Sequence, residues 1–349
     1  MDEQKQYAKK LINLQSKKEK EIRQIYFDAI LDITGIAASL PYRNTIFSLA
    51  LYPILRTRVD YILKRMVTEL KGVVVNGIDQ AWTLSDQKNK VFLDKNLKGF
   101  TLSEKARKIY YDTNVGAKKS FTNRQIKGLD LSKRIWKAVK PFQNQLEVGV
   151  ATGIATGQSA AKMANSIQKN LNEPDKLFRK VVDTDGRIKL SKAAKEYQPG
   201  QGVYRSSFKN ALRLARTETN MAYRAADWNR WDSQDFVVGI EVQLSAAHPR
   251  RDICDALAGK YPKDFKFPGW HPQCICFQTP ILITPEEMDK SEEALFKKGK
   301  WDGKSVNTVL DAPATFYRYL EDNADKINGL SSTPYWVQDN TKYMKSLDI

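Results

Sequence analysis

The chain has 349 residues, enough for two or three domains that each bury their own core, so small-scaffold staples are not required for folding. Its 57 Lys and Arg against 40 Asp and Glu leave a formal charge of +17, which favours polyanionic partners and does not bear on the fold. No stretch reaches the roughly 18 apolar residues of a membrane span, and no membrane partner is expected.

The first residues, Asp2, Glu3, Lys5, Lys9 and Lys10, have no apolar run behind them, so no secretory signal is expected and synthesis in a cytoplasm is. From Tyr7 to about Ile30 the apolar residues Leu11, Leu14, Ile22, Ile25, Tyr26 and Ile30 recur at helical spacing between charges. The uncharged run Asn44 to Leu55, between Arg43 and Arg56, reads as a buried helix. A stronger helical stripe follows: Val59, Ile62, Leu63, Met66, Val67, Leu70, Val73 and Val74. Residues 1–84 therefore read as an N-terminal helical region whose stripes are core.

Residues 85–204 read as a basic, mostly helical middle region. Between Ser85 and Lys140 lie fifteen Lys or Arg and five Asp or Glu, interleaved with Phe92, Phe100, Tyr110, Tyr111, Phe121 and Trp136. That mixture suits a surface against double-stranded DNA, with Lys118, Lys119, Lys133 and Arg134 as phosphate contacts, or against an acidic protein. Solvated helix faces with the aromatics turned inward are the equal alternative. No sequence-reading motif accompanies the charges, so any DNA binding is expected to be non-specific. Gly149, Gly153 and Gly157, four apart, would give a helix a small-residue face for close packing, the helix continuing through Ala160, Ala161, Met163, Ala164 and Ile167 towards Pro174. Without a following Gly-Lys-Ser/Thr they are not a phosphate loop. Asp185-Gly186 between two short extended runs, Val181 to Leu190, suggests a hairpin, and Gln198 to Gly202 a loop.

Ser206 or Ser207 is placed to cap a helix carrying Leu212, Ala215, Thr219, Ala222, Tyr223 and Ala226 on one side. Arg216 and Glu218, two apart on it, cannot face each other and must find partners elsewhere. Val238, Ile240, Val242 and Leu244 then alternate as a half-buried strand.

The strand leads into the chain's most unusual segment. All the histidines and cysteines, His248, Cys254, His271, Cys274 and Cys276, lie within 29 consecutive residues. For a window fixed in advance, the chance that the other four join the first is roughly one in twenty thousand. Three cysteines cannot all pair, and a cytoplasmic chain seldom keeps disulfides, so metal binding or plain burial must explain them. Zinc takes four thiolate or imidazole ligands in a tetrahedron. The spacing favours Cys254, His271, Cys274 and Cys276, with His248 as a substitute ligand or a neighbour. Two other readings stand beside a structural zinc: cysteines that are merely small buried hydrophobes, and a metal-dependent nuclease using His248, Asp252 and His271. Against the nuclease, thiolates select zinc over magnesium.

These residues also carry a resemblance. From about Leu131 to Pro280 the chain resembles the phage Mu F-like family of minor head proteins, also called phage head-morphogenesis proteins. The matching pieces are Arg216-Thr217-Glu218, the strand into His248-Pro249, Asp252-Ile253-Cys254, and Pro268 to Cys276, which reads PGWHPQCIC. Asp175 to Phe178, Gln198 to Ser207 and Pro334 to Asn340 are similar to the subgroup from phages and prophages of Bacteroides-type bacteria. Ile275 stands where the family usually has an arginine between its last cysteines, which withdraws that position from anionic contact and leaves the metal-ligand positions intact. The resemblance implies a non-enzymatic structural protein of the virion, at the capsid interior or portal vertex, with portal and capsid proteins and packaged DNA as partners. A nuclease or a phage-borne toxin-like effector is the alternative. The fold expected is mainly α with a small α+β carboxy-terminal domain, residues 205–285, stapled by zinc. Residues 286–349 are expected as an aromatic-rich tail of helix and loop reaching over other surfaces, with packing on the protein's own body as the alternative.

Overall fold

A computed structural model describes residues 2–40, 48–173, 181–182, 188–189, 203–246, 248, 252–298, 301, 304–330 and 332–344. The protein is mainly helical with a small antiparallel sheet, as the sequence implies. It divides into two compact units, Met1–Leu14, Ile78–Asn123 and Thr217–Ile349 in one, Gln15–Gly77 and Arg124–Arg216 in the other. No helix among the described residues is long and apolar enough to cross a membrane.

Two long helices open the chain, α1 (Asp2–Ala38) and α2 (Pro53–Asn96). The stripes read from the sequence form the core of the second unit: Ile22, Tyr26, Ile30, Val59, Ile62, Met66 and Leu70 are buried there. The expected helix over Asn44 to Leu55 is corrected for its described part. Leu49–Leu51 forms one 3-10 turn, Pro53 starts α2 afresh, and Ile54 is 85% exposed. Proline lacks the amide a continuing helix would need and favours a first helical turn. Residues 44–47 lie outside the described residues.

Short helices follow, α3 (Glu104–Tyr110), α4 (Val115–Asn123), α5 (Leu131–Val139), α6 (Phe142–Ala155) and α7 (Ala160–Asn172). The glycine spacing does bring helices together. A Cβ on Gly149 would sit 2.4 Å from Ile167 of α7, and one on Gly153 would sit 2.1 Å from Met163. The helix does not run on to Pro174 unbroken, however, because Gly157 takes a φ of +62° and Ser159 caps a new helix by accepting from the Lys162 amide. Val181–Val182 (β1) and Ile188–Lys189 (β2) pair antiparallel, as expected of the hairpin; Asp185, Gly186 and the loop Gln198 to Gly202 lie outside the described residues.

The helix α8 (Ser207–Asp232) is capped by Ser206, whose hydroxyl accepts from the Lys209 amide. Ser207 instead donates to the Ala138 carbonyl and meets the Tyr26 hydroxyl at 2.6 Å. In the first unit, β3 (Val237–Gln243) is the centre of a three-stranded sheet between β4 (Gly259–Tyr261) and β5 (Phe277–Leu282). Val237 through Ile240 are all buried rather than alternating, so both faces of this strand are covered, Val309 lying against Gly239. The strand stops at Gln243, so Leu244 falls beyond it and is exposed.

The segment after 285 packs on its own unit. Phe316, on α11 (Ala314–Asn328) beyond a short α10 (Pro285–Lys290), is fully buried 5.7 Å from the Tyr261 ring. Trp336, on α12 (Tyr335–Gln338), crosses Trp270 at 5.5 Å. The expectation of a tail spread over other surfaces is thereby corrected: each buried aromatic removes apolar area from water worth about 2 kcal/mol or more, and the unit's own core supplies the partner.

Candidate metal centre

The sheet register brings the cluster together. Gln243 at the end of β3 pairs with Phe277 at the start of β5, so the residues that follow Gln243 and those that precede Phe277 leave the sheet side by side. One arm carries His248; the other carries Cys274 and Cys276. Between them α9 (Ile253–Leu257) presents Cys254 from its first turn. Asp252 caps this short helix, its carboxylate accepting from the Cys254 amide at 2.7 Å, and Asp255 completes the capping box by accepting from the Asp252 amide at 2.8 Å.

Cys254 is the hub. Its Sγ lies 3.2 Å from His271 Nε2 and 3.8 Å from Cys274 Sγ. Two sets of ligand atoms share it, Cys254 with His271 and Cys274, and Cys254 with His248 and Cys276, each set lying within 4.8 Å of one another. All three thiols are unpaired and buried. Cys254, Cys274, Cys276 and His271 are thus close enough to bind a metal ion. The donor types suit zinc, and the Cys254–Cys274 spacing matches it: a tetrahedral zinc with bonds of about 2.3 Å to sulfur needs sulfurs about 3.8 Å apart. Hydrogen bonds from Cys254 and Cys276, helped by the Arg224 charge, hold the Cys274 thiol well below its usual range, while the two neighbouring sulfurs push Cys254 up.

Both histidines are oriented from behind. His271 Nδ1 faces the Pro272 carbonyl at 2.8 Å, leaving Nε2 for the sulfurs. His248 Nε2 lies 3.1 Å from Asp255 and 3.4 Å from Asp252. Asp252 also reaches His271 Nε2 at 3.4 Å. The Asp252 amide and, after it, His248 hold the Asp255 carboxyl below the usual carboxylate range.

Sequence reasoning missed the residues that hold the loop. On α8, Thr217 accepts from the Gln273 amide at 3.1 Å, and Asn220 donates to the Cys274 carbonyl at 3.0 Å. Arg224 donates to the carbonyls of Pro268 at 2.9 Å and of Cys274 and Cys276 at 2.6 Å each, its guanidinium over the Phe267 ring. Gly269 is required beside it: its φ is +111°, and a Cβ there would stand 2.6 Å from the guanidinium. The signal available was the i, i+3, i+7 spacing of polar residues 217, 220 and 224 on one helix face. Arg216, by contrast, pairs with Glu19 in the second unit, and Glu218 is buried.

The basic residues are dispersed. Lys118 and Lys119 sit on α4 of the first unit, Lys118 paired with Asp79 at 3.1 Å and Lys119 exposed. Lys133 and Arg134 sit on α5 of the second unit, Lys133 exposed and 4.0 Å from Asp130, Arg134 half-buried. The interleaved aromatics mostly turn inward: Tyr110 packs on Phe236, Phe100 on Phe296 and Phe121 on Trp82, and only Trp136 of the six is exposed.

Fold and site together define a mainly helical protein with a compact Cys/His loop suited to a metal ion. Comparison of the chain with known families, with curated proteins and with solved structures finds no match.

Proposed function

We propose that this protein is a structural minor head protein of a tailed bacteriophage, its carboxy-terminal loop stapled by one zinc ion. The observation that carries the reading is convergence. The Asp252-Ile253-Cys254 turn and the PGWHPQCIC loop, two pieces that resemble the Mu F-like family, meet through Cys254, His271 and Cys274, and from the helix at 216–218 Thr217 reaches the same loop at Gln273, beside Asn220 and Arg224. Cys254, Cys274, Cys276 and His271 would hold the zinc, which crosslinks the loop to α9 and contributes folding energy. Arg224 offsets the excess negative charge of three thiolates. Portal and capsid proteins are the proposed protein partners, at the capsid interior or portal vertex, and exposed lysines such as Lys119 and Lys133 support non-specific contact with packaged DNA. Immunoblotting of purified particles tests the reading: the protein should be present in few copies, and its deletion should lower the yield of filled heads. Its absence from particles, with full phage yield after deletion, would reject it.

A second reading, a metal-dependent nuclease, is favoured by the partly exposed His248, Asp252, Asp255 and His271 group. It requires an open coordination position, which three thiolates and an imidazole do not leave. Incubation with supercoiled and single-stranded DNA and magnesium, manganese or zinc should give no more product than a His248→Ala/His271→Ala control. Cleavage lost in that control would establish the nuclease instead.

A further inference from the structure

His248 is built like a ligand although the four-ligand set does not use it. Its side chain is only 9% exposed, against 36% for His271. It shares with Cys254 and Cys276 the same proximity that His271 shares with Cys254 and Cys274. A metal-binding imidazole ordinarily donates its outer N–H to a carboxylate or carbonyl, which fixes the tautomer and turns the other nitrogen to the metal. Both histidines meet that condition, His271 through the Pro272 carbonyl and His248 through Asp255. With Nε2 of His248 committed to Asp255, Nδ1 is the nitrogen it offers. Asp255 is itself fixed by the capping box of α9, so the imidazole is held by the same turn that presents Cys254.

We propose that the site has two interchangeable fourth ligands: the three thiolates hold the metal with either His271 or His248. This rests on the reading of the cluster as a metal site. The two imidazoles come from different arms, one following β3 and the other preceding β5, so exchange lets the more exposed His271 leave the metal without the ion being lost. His248 then serves as the inner, reserve ligand, positioned by Asp255.

Cobalt(II) and zinc(II) titrations of the full chain against a competing chelator test this, with metal per chain and the cobalt d–d and thiolate charge-transfer bands as readouts. His271→Ala and His248→Ala should each keep one metal per chain and tetrahedral cobalt bands. The double variant should bind at least about tenfold more weakly than either. Asp255→Asn should cost about tenfold in the His271→Ala background and little in the natural chain, as expected for the outer partner of a ligand. Glutamine variants at 248 and 271 repeat the series should an alanine variant misfold. If His271→Ala or His248→Ala alone loses as much affinity as the double variant, exchange is overturned while the metal site stands. If the natural chain binds neither ion, the metal reading itself falls, and the exchange with it.

Discussion

Replacing Arg224 by methionine tests whether the metal loop is positioned by α8. The substitution removes the donors to the Pro268, Cys274 and Cys276 carbonyls. Of the three, the Cys274 carbonyl keeps its bond from Asn220, so the loss falls on the carbonyls of Pro268 and Cys276. Leaving a buried acceptor short of a donor costs about 1–3 kcal/mol, which puts the gross loss at roughly 2–6 kcal/mol. Methionine avoids burying a charge, an offset of about 1–2 kcal/mol, and its chain still packs on Phe267, so a net loss of about 3 kcal/mol is expected. That is about a hundredfold in the local opening equilibrium. Because the protein has two compact units, a single melting curve is a poor assay; hydrogen exchange read by mass spectrometry over residues 262–282 isolates the effect. Metal affinity should fall in parallel, since the loop loses its anchor and Cys274 a favourable charge. Arg224→Lys should recover only part, because an ammonium cannot fork between carbonyls as a guanidinium does. Unchanged exchange and metal affinity in Arg224→Met would refute the positioning argument.

Native metal analysis should find about one zinc per chain, and chelation should raise hydrogen exchange in residues 240–285 selectively; Cys274→Ser should do the same, and a chelated protein with unchanged exchange would count against a structural ion. Binding to double-stranded DNA should weaken steeply with salt, and reversing Lys118, Lys119, Lys133 and Arg134 to glutamate should weaken it for all sequences alike, with the exposed Lys119 contributing more than Lys118, which Asp79 engages; salt-independent binding would reject the phosphate contacts. Glu287 accepts from the Ser305 hydroxyl and the Thr284 and Val306 amides, which hold its carboxyl below its ordinary range. A depressed folded value means that its stabilisation is fully present above the unfolded value and lost as pH falls through the folded one. Protection of the Val306 and Asn307 amides, corrected for the intrinsic exchange rate, should therefore fall in acid, and Glu287→Gln should flatten that fall; an acid response unchanged in the variant would show that another group controls it.

What could be read in advance was whatever periodicity or composition encodes. The stripes of α1 and α2 became core at most of the stated residues, with Leu11, Leu14, Ile25, Val67 and Val73 only half-buried, the Gly149 and Gly153 spacing became a close contact with α7, and the His/Cys run folded into one cluster. Periodicity failed where burial is polar. On α8 an apolar face was legible in Ala215, Ala222 and Ala226, yet Glu218, Asn220, Arg224, Asp227 and Arg230 are buried as well. Such residues enter a core only when each finds its partner, and the partners lie dozens of positions away in sequence. Breaks were the other gap. Neither the fresh start at Pro53 nor the turn at Gly157 interrupts an apolar pattern, so the pattern alone ran through both. The aromatics after 300 gave no direction of packing, which only the Tyr261, Phe265 and Trp270 cluster supplies.

Those buried polar residues give α8 its part in the first unit. Going along the helix, Arg224 holds the Cys/His loop. Asp227 accepts from Ser85, Lys88 and Asn89 of α2 at 2.6–2.7 Å, and Arg230 joins the Tyr110 carbonyl to Asp86. Burial lowers the pKa of Lys88, and the Asp227 carboxylate at 2.6 Å works against that shift. Such pairs add little net stability over apolar packing, but breaking one partner strands a charge, so they penalise every misregistered arrangement of the helix. Apolar residues at these positions would let α8 slide or rotate against α2 at small cost; directional bonds do not. The consequence reaches the cluster. Thr217, Asn220 and Arg224 occupy one face of a helix whose register is fixed further along by Asp227 and Arg230, so the carbonyls of Pro268, Cys274 and Cys276 are presented in a single arrangement. A loop held by its backbone in this way suits a site whose ligands stay at hand, whichever imidazole completes the set, better than a centre that must open to substrate, which is the physical ground for proposing the structural reading over the catalytic one.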